Sequence, residues 1–385
     1  MSDVFLYVTH LFGIGHLRRA AAIARALAER GVSVALVSGG FPVPGLDTGR
    51  AKVVQLPPVR SRDETFRVLL NEQDAPIDDA WRRRRCGLLL GAFAEARPAV
   101  LLTESFPFGR RALRFELLPL LDAAAALRPR PRILSSVRDL LVRKPPEKTA
   151  WMADLAAGRY DAVLVHGDPA LLPFDVSFPW TPRIADRLHY TGYIRETDGP
   201  VGPWRGGGEV LVSAGGGAFG RFLLQTALAA RPLTRYRAAP WRLLAGPNLP
   251  AEDFADLTAD LPEGVVLERH RPDFPRLLSH AALSISLGGY NTVVALLAAG
   301  TPAVVVGYAA GQETEQAERA SLLEQRGWLT AVGQGSLTPA ALASAIEREA
   351  GRPRPVVAGL SFDGLSRSVD YIAAQVAIVR TEGRS

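Results

Sequence analysis

From Ala281 to Gly311 the chain carries no charged residue, and within that run Ser284 to Gly307 gathers its glycine pair and amide group at a single turn. Leu283 to Leu287 reads as a buried strand, Gly288-Gly289 as a tight turn, the residues up to Ala299 as a helix, and Ala303 to Val306 as the next strand. Gly288-Gly289, Asn291, Thr292 and Pro302 divide the run into pieces too short to span a membrane, so it is read as buried α/β core. Gly288, Gly289, Asn291 and Thr292 stand at a helix N-terminus, where unpaired backbone N–H groups and the positive end of the dipole favour an anion such as a diphosphate.

The same grammar opens the chain. Asp3 to Thr9 reads as a strand, Gly13-Ile14-Gly15 as a turn, Leu17 to Glu29 as an Ala-rich helix stopped by Gly31, and Val32 to Val37 as a second strand. This βαβ unit implies a parallel sheet with helices on its faces. Further strands are expected at Ala99 to Thr103, Arg132 to Ser136 and Ala162 to His166. The Pro/Gly-rich segment 198–208 reads as a linker, after which the pattern restarts with a strand at Glu209 to Ser213, a turn at Gly215-Gly216-Gly217, and strands at Trp241 to Ala245 and Val265 to Leu267. The expected organisation is an N-terminal domain over 1–197, a second α/β domain over 209–365 and a last helix over 366–385 that could pack on either.

A length of 385 residues suits two domains of about 100 to 200 residues each. Hydrophobic residues at 48% and charged residues at 22% exclude a disordered chain. The single cysteine, Cys86, excludes an internal disulfide and a multi-cysteine metal site, and the N-terminus enters a strand without signal-peptide features, so a cytoplasmic protein is expected. A net charge of +6 permits an anionic nucleotide, an anionic lipid surface or nucleic acid.

Gly13 and Gly15 allow close approach of a ligand on the first strand-to-helix turn, and His16 stands where it can act as a base. Arg18 occupies the third glycine position of a dinucleotide fingerprint, and no acidic residue ends the second strand, so no nicotinamide cofactor is expected. Gly215, Gly216 and Gly217 could present N–H groups to a phosphate. Gln312-Glu313-Thr314-Glu315-Gln316 sets carboxylates and amides after another strand, suited to sugar hydroxyls or simply to a solvated helix start. Glu104 and Arg110, around Ser105-Phe106-Pro107-Phe108-Gly109, lie after a strand and could face the acceptor or pair with each other, and Arg138-Asp139 is similar. Trp81-Arg82-Arg83-Arg84-Arg85 reads as a solvated basic helix face, or as a contact with an anionic membrane. His10, His189, His270 and His280 have no metal-ligand spacing.

Together these motifs resemble the GT-B glycosyltransferases, in particular the branch that contains the peptidoglycan N-acetylglucosaminyltransferase making lipid II. Tyr190-Thr191-Gly192-Tyr193, Thr103 to Arg110 and Ser136 to Asp139 are similar to bacterial predicted glycosyltransferases. The resemblance implies two Rossmann-like domains facing a cleft. A nucleotide-sugar donor, with UDP favoured, would bind the C-terminal domain. An acceptor hydroxyl, with a lipid-linked acceptor among the options, would bind the N-terminal one. It implies inverting transfer without a required metal, no nucleic-acid partner, and action at the inner face of the membrane. On this resemblance Gly216 and Gly217 also belong to the donor site, Gly289, Asn291 and Thr292 flank the diphosphate, Glu315 and Gln316 reach the sugar, the backbone near Arg271 meets the base, and His16 is the general base. Where the relatives hold the ribose with a glutamate, this chain has Ala295, so Glu313 substitutes, the donor binds differently, or its affinity is weak. A nucleotide-sugar epimerase or hydrolase, and a non-catalytic nucleotide-sugar-binding protein, are the competing functions.

Overall fold

The computed structural model describes residues 2–11, 13–63, 66–195, 208–215, 220–308, 314–352 and 359–383. The chain divides into two compact units, Met1–Ile194 with Leu360–Ser385, and Arg195–Gly359. Most of the expected linker, 198–207, lies outside the described residues.

The first unit runs β1 (Val4–Val8), α1 (Gly15–Glu29), β2 (Val34–Ser38), β3 (Lys52–Gln55), a small hairpin of β4 (Arg60–Ser61) and β5 (Leu69–Leu70), α2 (Asp79–Ala96), β6 (Val100–Glu104), α3 (Arg114–Ala126), β7 (Arg132–Arg138), α4 (Pro146–Arg159), β8 (Ala162–His166) and β9 (Leu188–Tyr190). Its sheet has the order β3-β2-β1-β6-β7-β8-β9 with every pair parallel. All five residues of β1 and of β6 are buried. That is why these strands are nearly continuous apolar runs, since helices cover both faces.

The second unit follows the same plan: β10 (Val210–Ser213), α5 (Arg221–Ala230), β11 (Trp241–Leu244), α6 (Ala251–Ala259), β12 (Val265–Glu268), α7 (Phe274–His280), β13 (Leu283–Leu287), α8 (Tyr290–Ala299), β14 (Ala303–Gly307), α9 (Glu315–Gln325), β15 (Thr330–Gly333) and α10 (Pro339–Ala350). Its parallel sheet has the order β12-β11-β10-β13-β14-β15. Gly208 already belongs here, its N–H donating to His280 O at 3.2 Å.

The last helix, α11 (Gly364–Glu382), belongs to the first unit. Val369, Ile372 and Val376 recur at helical spacing and enter the core that contains Leu17, Ala21 and Ala24 of α1. Ion pairs of Arg30 with Asp370 and of Arg380 with Asp3 flank that contact.

The arginine run on α2 is not a uniform solvated face. Asp78 caps the helix by accepting from Trp81 N at 2.7 Å, and Arg83 and Arg84 are exposed. Arg85, one position on, turns inward and is completely buried against Glu116, with Nε to Oε2 at 2.7 Å and Nη2 to Oε1 at 3.0 Å. Arg85 also donates to Gly39 O at 2.8 Å, to Pro57 O and to Thr9 Oγ1 at 3.2 Å, while Tyr7 Oη donates to the same Glu116. A Cβ on Gly39 would collide with this guanidinium, so the glycine there serves packing.

Candidate functional site

In an open parallel sheet, ligands meet the carboxyl ends of strands where the strand order reverses. In the first unit this point lies between β1 and β6, and in the second between β10 and β13. Each candidate motif with the strongest sequence signal follows one of those four strands.

Leaving β1, the chain passes Gly13 and starts α1 at Gly15, with His16 in the first turn. Glu104 is the last residue of β6. The two meet: His16 Nδ1 lies 2.8 Å from Glu104 Oε1, with side-chain exposures of 14% and 1%. Glu104 is held from every side. Arg19, one turn along α1, donates to its Oε1, and Ser136 Oγ donates to Oε2 at 2.6 Å. Ser136 in turn lies 2.8 Å from His166 Nε2, and His166 Nδ1 lies 2.9 Å from Thr191 Oγ1. Ser105 Oγ sits 3.1 Å from His16 Nδ1. On the other side of the imidazole, Arg138 Nη2 is 2.7 Å from Nε2.

These partners assign the tautomer. A guanidinium only donates, so Nε2, 2.7 Å from Arg138, is the acceptor; at Nδ1 the 2.8 Å contact with the Glu104 carboxylate outweighs the longer 3.3 Å approach of Arg19 Nη2, and the proton resides there, donated to Glu104. The electrostatics agree. Burial, then the charges of Arg138 and Arg110, hold the His16 pKa well below its ordinary value, with Glu104 only partly opposing them. Burial alone would raise the Glu104 carboxyl, but the Arg19 charge and the hydrogen bonds from His16 and Ser136 prevail and hold it well below the usual carboxylate range. The result is a neutral imidazole with a lone pair on Nε2, oriented by a carboxylate that stays ionised. Such an arrangement can accept a proton from a hydroxyl.

Arg110 does not pair with Glu104. Its Nε donates to Thr9 O at 2.7 Å, because Arg19, closer along α1, has taken the carboxylate. Sequence reasoning passed over Arg19, Ser105 and Ser136. Arg19 is buried on a helix face otherwise made of Leu17, Ala20, Ala21 and Ile23, and Ser136 lies in the buried middle of β7. A polar side chain in such surroundings must have a partner, which was the available signal.

In the second unit β10 leads to Gly215, whose φ of +73° is the left-handed region that glycine tolerates. Gly216, Gly217, Gln312 and Glu313 lie outside the described residues. β13 leads to Gly288 and to Gly289, which caps α8 without any side-chain cap, so the first N–H groups of the helix, with Asn291 and Thr292 in its first turn, point out of the strand end. Gly288 is close-packed: a Cβ there would stand 3.0 Å from Gln316 O. Gln316 therefore lies beside the turn, and its buried Oε1 has no hydrogen-bond partner among the described residues. Glu315 lies 2.8 Å from Arg319 Nη2, and Arg319 Nη1 reaches Gly288 O at 3.3 Å. In this structure Glu315 thus braces the turn through a buried arginine. Arg271 stands at another strand end of the same sheet. It follows β12, which β11 and β10 separate from β13, and its side chain grips Asp273 at 2.8 and 2.9 Å.

The fold and these two strand-end sites define a class: two parallel-sheet α/β units of the GT-B glycosyltransferase type. Residues 221–354 match the Glycosyltransferase family 28 C-terminal domain, so the second unit is a glycosyltransferase domain. Among solved structures, the calicheamicin glycosyltransferase CalG4 is similar with a TM-score of 0.66 at 19% identity, covering 98% of each chain. Acinetobacter baumannii MurG is similar with a TM-score of 0.57 at 14% identity, covering 98% of this chain and 99% of its own. A UGT transferase from Siraitia grosvenorii, solved with UDP, has a TM-score of 0.57 at 16% identity, covering 96% of this chain and 100% of its own. No curated protein matches the chain in sequence.

Gly288 and Gly289 make opposite predictions. Gly288→Ala is expected to destabilise the second unit by about 1 to 3 kcal/mol, because a backbone carbonyl must move. Gly289, with φ −63° and nothing within 4 Å of its Cβ position among the described residues, should accept alanine with an unchanged urea midpoint. Equal losses in both variants would refute this reading of the turn.

Proposed function

We propose that this protein is an inverting, metal-independent glycosyltransferase that moves a sugar from a nucleotide-diphosphate sugar, with UDP favoured, to an acceptor hydroxyl. The observation that carries the reading is the His16–Glu104 pair, whose tautomer leaves Nε2 as a proton acceptor at the switch point of the first unit. His16 takes the hydroxyl proton as that oxygen attacks the anomeric carbon, the bond to the diphosphate breaks on the opposite face, and configuration inverts. The N-terminus of α8 binds the diphosphate. The UDP held by the Siraitia grosvenorii enzyme supports the choice of nucleotide. Among the described residues no helix is long and apolar enough to cross a membrane. Exposed Arg83, Arg84 and Leu88 on α2 support a peripheral contact with an anionic membrane face, with the protein acting in the cytoplasm.

The test is release of nucleoside diphosphate from UDP-, GDP- and dTDP-sugars, with and without a cell-extract acceptor fraction, together with the anomeric configuration of the product. Acceptor-dependent release with inversion is expected. Release without acceptor would favour an epimerase or hydrolase, and binding without release a non-catalytic protein. The lowered pKa of His16 adds a pH prediction. A base whose pKa is depressed remains unprotonated below the usual histidine value of about 6.5, so the acid limb of kcat/KM is expected well below that pH.

A further inference from the structure

Three adjacent parallel strands, β1, β6 and β7, end side by side, and each sends a basic group to that end. β1 leads to His10 and then His16, β6 leads through a short loop to Arg110, and β7 ends on Arg138. The loop is held in an uncommon shape: Ser105 has φ +67° and Arg110 has φ +59°, both in the left-handed region. It is pinned there by Thr103 Oγ1 and Ser135 Oγ, which donate to Phe106 O at 3.0 and 2.8 Å, and by Gly109 N, which donates to Ser105 O at 2.6 Å. Such strain persists where the surroundings over-determine it, and it concentrates at functional sites.

Arg110 is oriented by its Nε bond to Thr9 O, while its two Nη groups make no hydrogen bond or ion pair among the described residues. The nearby carboxylate, Glu104, is already engaged by Arg19, His16 and Ser136. Burial, then the charge of Arg138, push the Arg110 pKa down to about 10, with Glu104 only partly opposing them. α1 also starts here without a side-chain cap, adding backbone N–H donors.

We propose that Arg110 and Arg138 form an anion-binding subsite beside His16, which takes an acidic group, carboxylate or phosphate, borne by the acceptor next to its reacting hydroxyl. The proposal rests on His16 being the base. It also explains the contact at 2.7 Å from Arg138 Nη2 to His16 Nε2, the lone pair that the reaction needs. A guanidinium prefers a bidentate oxyanion to a neutral imidazole. An acidic acceptor therefore draws Arg138 onto itself and uncovers Nε2 for the hydroxyl. A neutral acceptor leaves the base covered.

The test uses the full chain with 15N-labelled histidine, following the His16 imidazole by NMR, assigned with His16→Gln, as inorganic phosphate or acetate is added. A saturable shift of the His16 resonances with at least one anion is expected. The affinity should fall about tenfold or more in Arg110→Gln and in Arg138→Gln, the scale of one charged hydrogen-bonded contact. Arg110→Lys, which keeps the charge, should fall less and covers the case in which the glutamine variant misfolds. A preference for phosphate or for acetate distinguishes the two acid classes. No saturable shift with either anion, or one undiminished in both glutamine variants, overturns the subsite. The readout needs no turnover. If His16 proves dispensable for turnover while phosphate still moves its resonances, the base assignment fails and the anion site stands. In the release assay, acceptor activity is expected in the fraction retained by an anion-exchange resin, and activity confined to the neutral flow-through overturns the acidic acceptor.

Discussion

His16→Ala is expected to lower acceptor-dependent turnover by about 10²- to 10⁴-fold, the usual worth of a positioned general base, while the protein remains folded. The second half of that statement follows from the geometry. Glu104 keeps Arg19 and Ser136 when the imidazole is removed, so no carboxylate is left buried and unpaired. The side chain is itself partly open to solvent at 14% exposure, so little core packing is lost. Steady-state rates and the urea midpoint should therefore separate cleanly, with kcat falling and the midpoint holding. A stable His16→Ala protein of wild-type rate would remove His16 from the mechanism. An inactive protein with a collapsed midpoint would assign it a structural role.

Glu116→Ala should do the reverse, costing about 3 to 5 kcal/mol of stability in the first unit. Arg85 and Glu116 are both wholly buried, and removing the acid strands a guanidinium that the fold cannot hydrate. Tyr7, whose hydroxyl donates to Glu116, loses its acceptor at the same time, and burial together with the Glu116 charge holds its pKa far above the ordinary phenol value. The informative control is the double change Arg85→Met with Glu116→Leu. Replacing both charges by apolar groups of similar size is often nearly neutral, so the pair should recover much of the loss. Urea unfolding of the three proteins measures this directly. A loss below about 1 kcal/mol for Glu116→Ala would mean that water reaches Arg85.

Most of the legible strands were those buried on both faces, although β12, terminal in its sheet and with only Val265 buried, was read as well. β8 and β13 match their sequence reading at both ends: each is a five-residue uncharged segment that runs directly into a glycine, Gly167 or Gly288, and that length and flank favour a strand. β3, β9 and β15 went unread, and each is the terminal strand of its sheet. An edge strand has one hydrogen-bonded neighbour and less to bury, and β3, Lys-Val-Val-Gln, has mostly exposed residues. At the candidate site the residue types after each strand were visible, but the pairings were not. The sequence offered Glu104 only Arg110, six residues on, and only the fold shows that Arg19, on another element, takes it. Glu315 was read from its place after a strand as suited to sugar hydroxyls or to a solvated helix start, and the resemblance implied the sugar. Its neighbour four residues along, Arg319, was a local clue to the buried pair that now engages it.

The position of α11 bears on how the chain is made. Arg30 and Asp370, 340 residues apart, meet on the unit that synthesis begins first. While the ribosome is still building the later unit, α1 waits with the apolar face that Val369, Ile372 and Val376 will cover. The later unit comes from one uninterrupted stretch and can close before the earlier one is complete. A chain that ends at Gly359 would therefore hold every residue of the second unit while the apolar face of α1 in the first still lacks its cover.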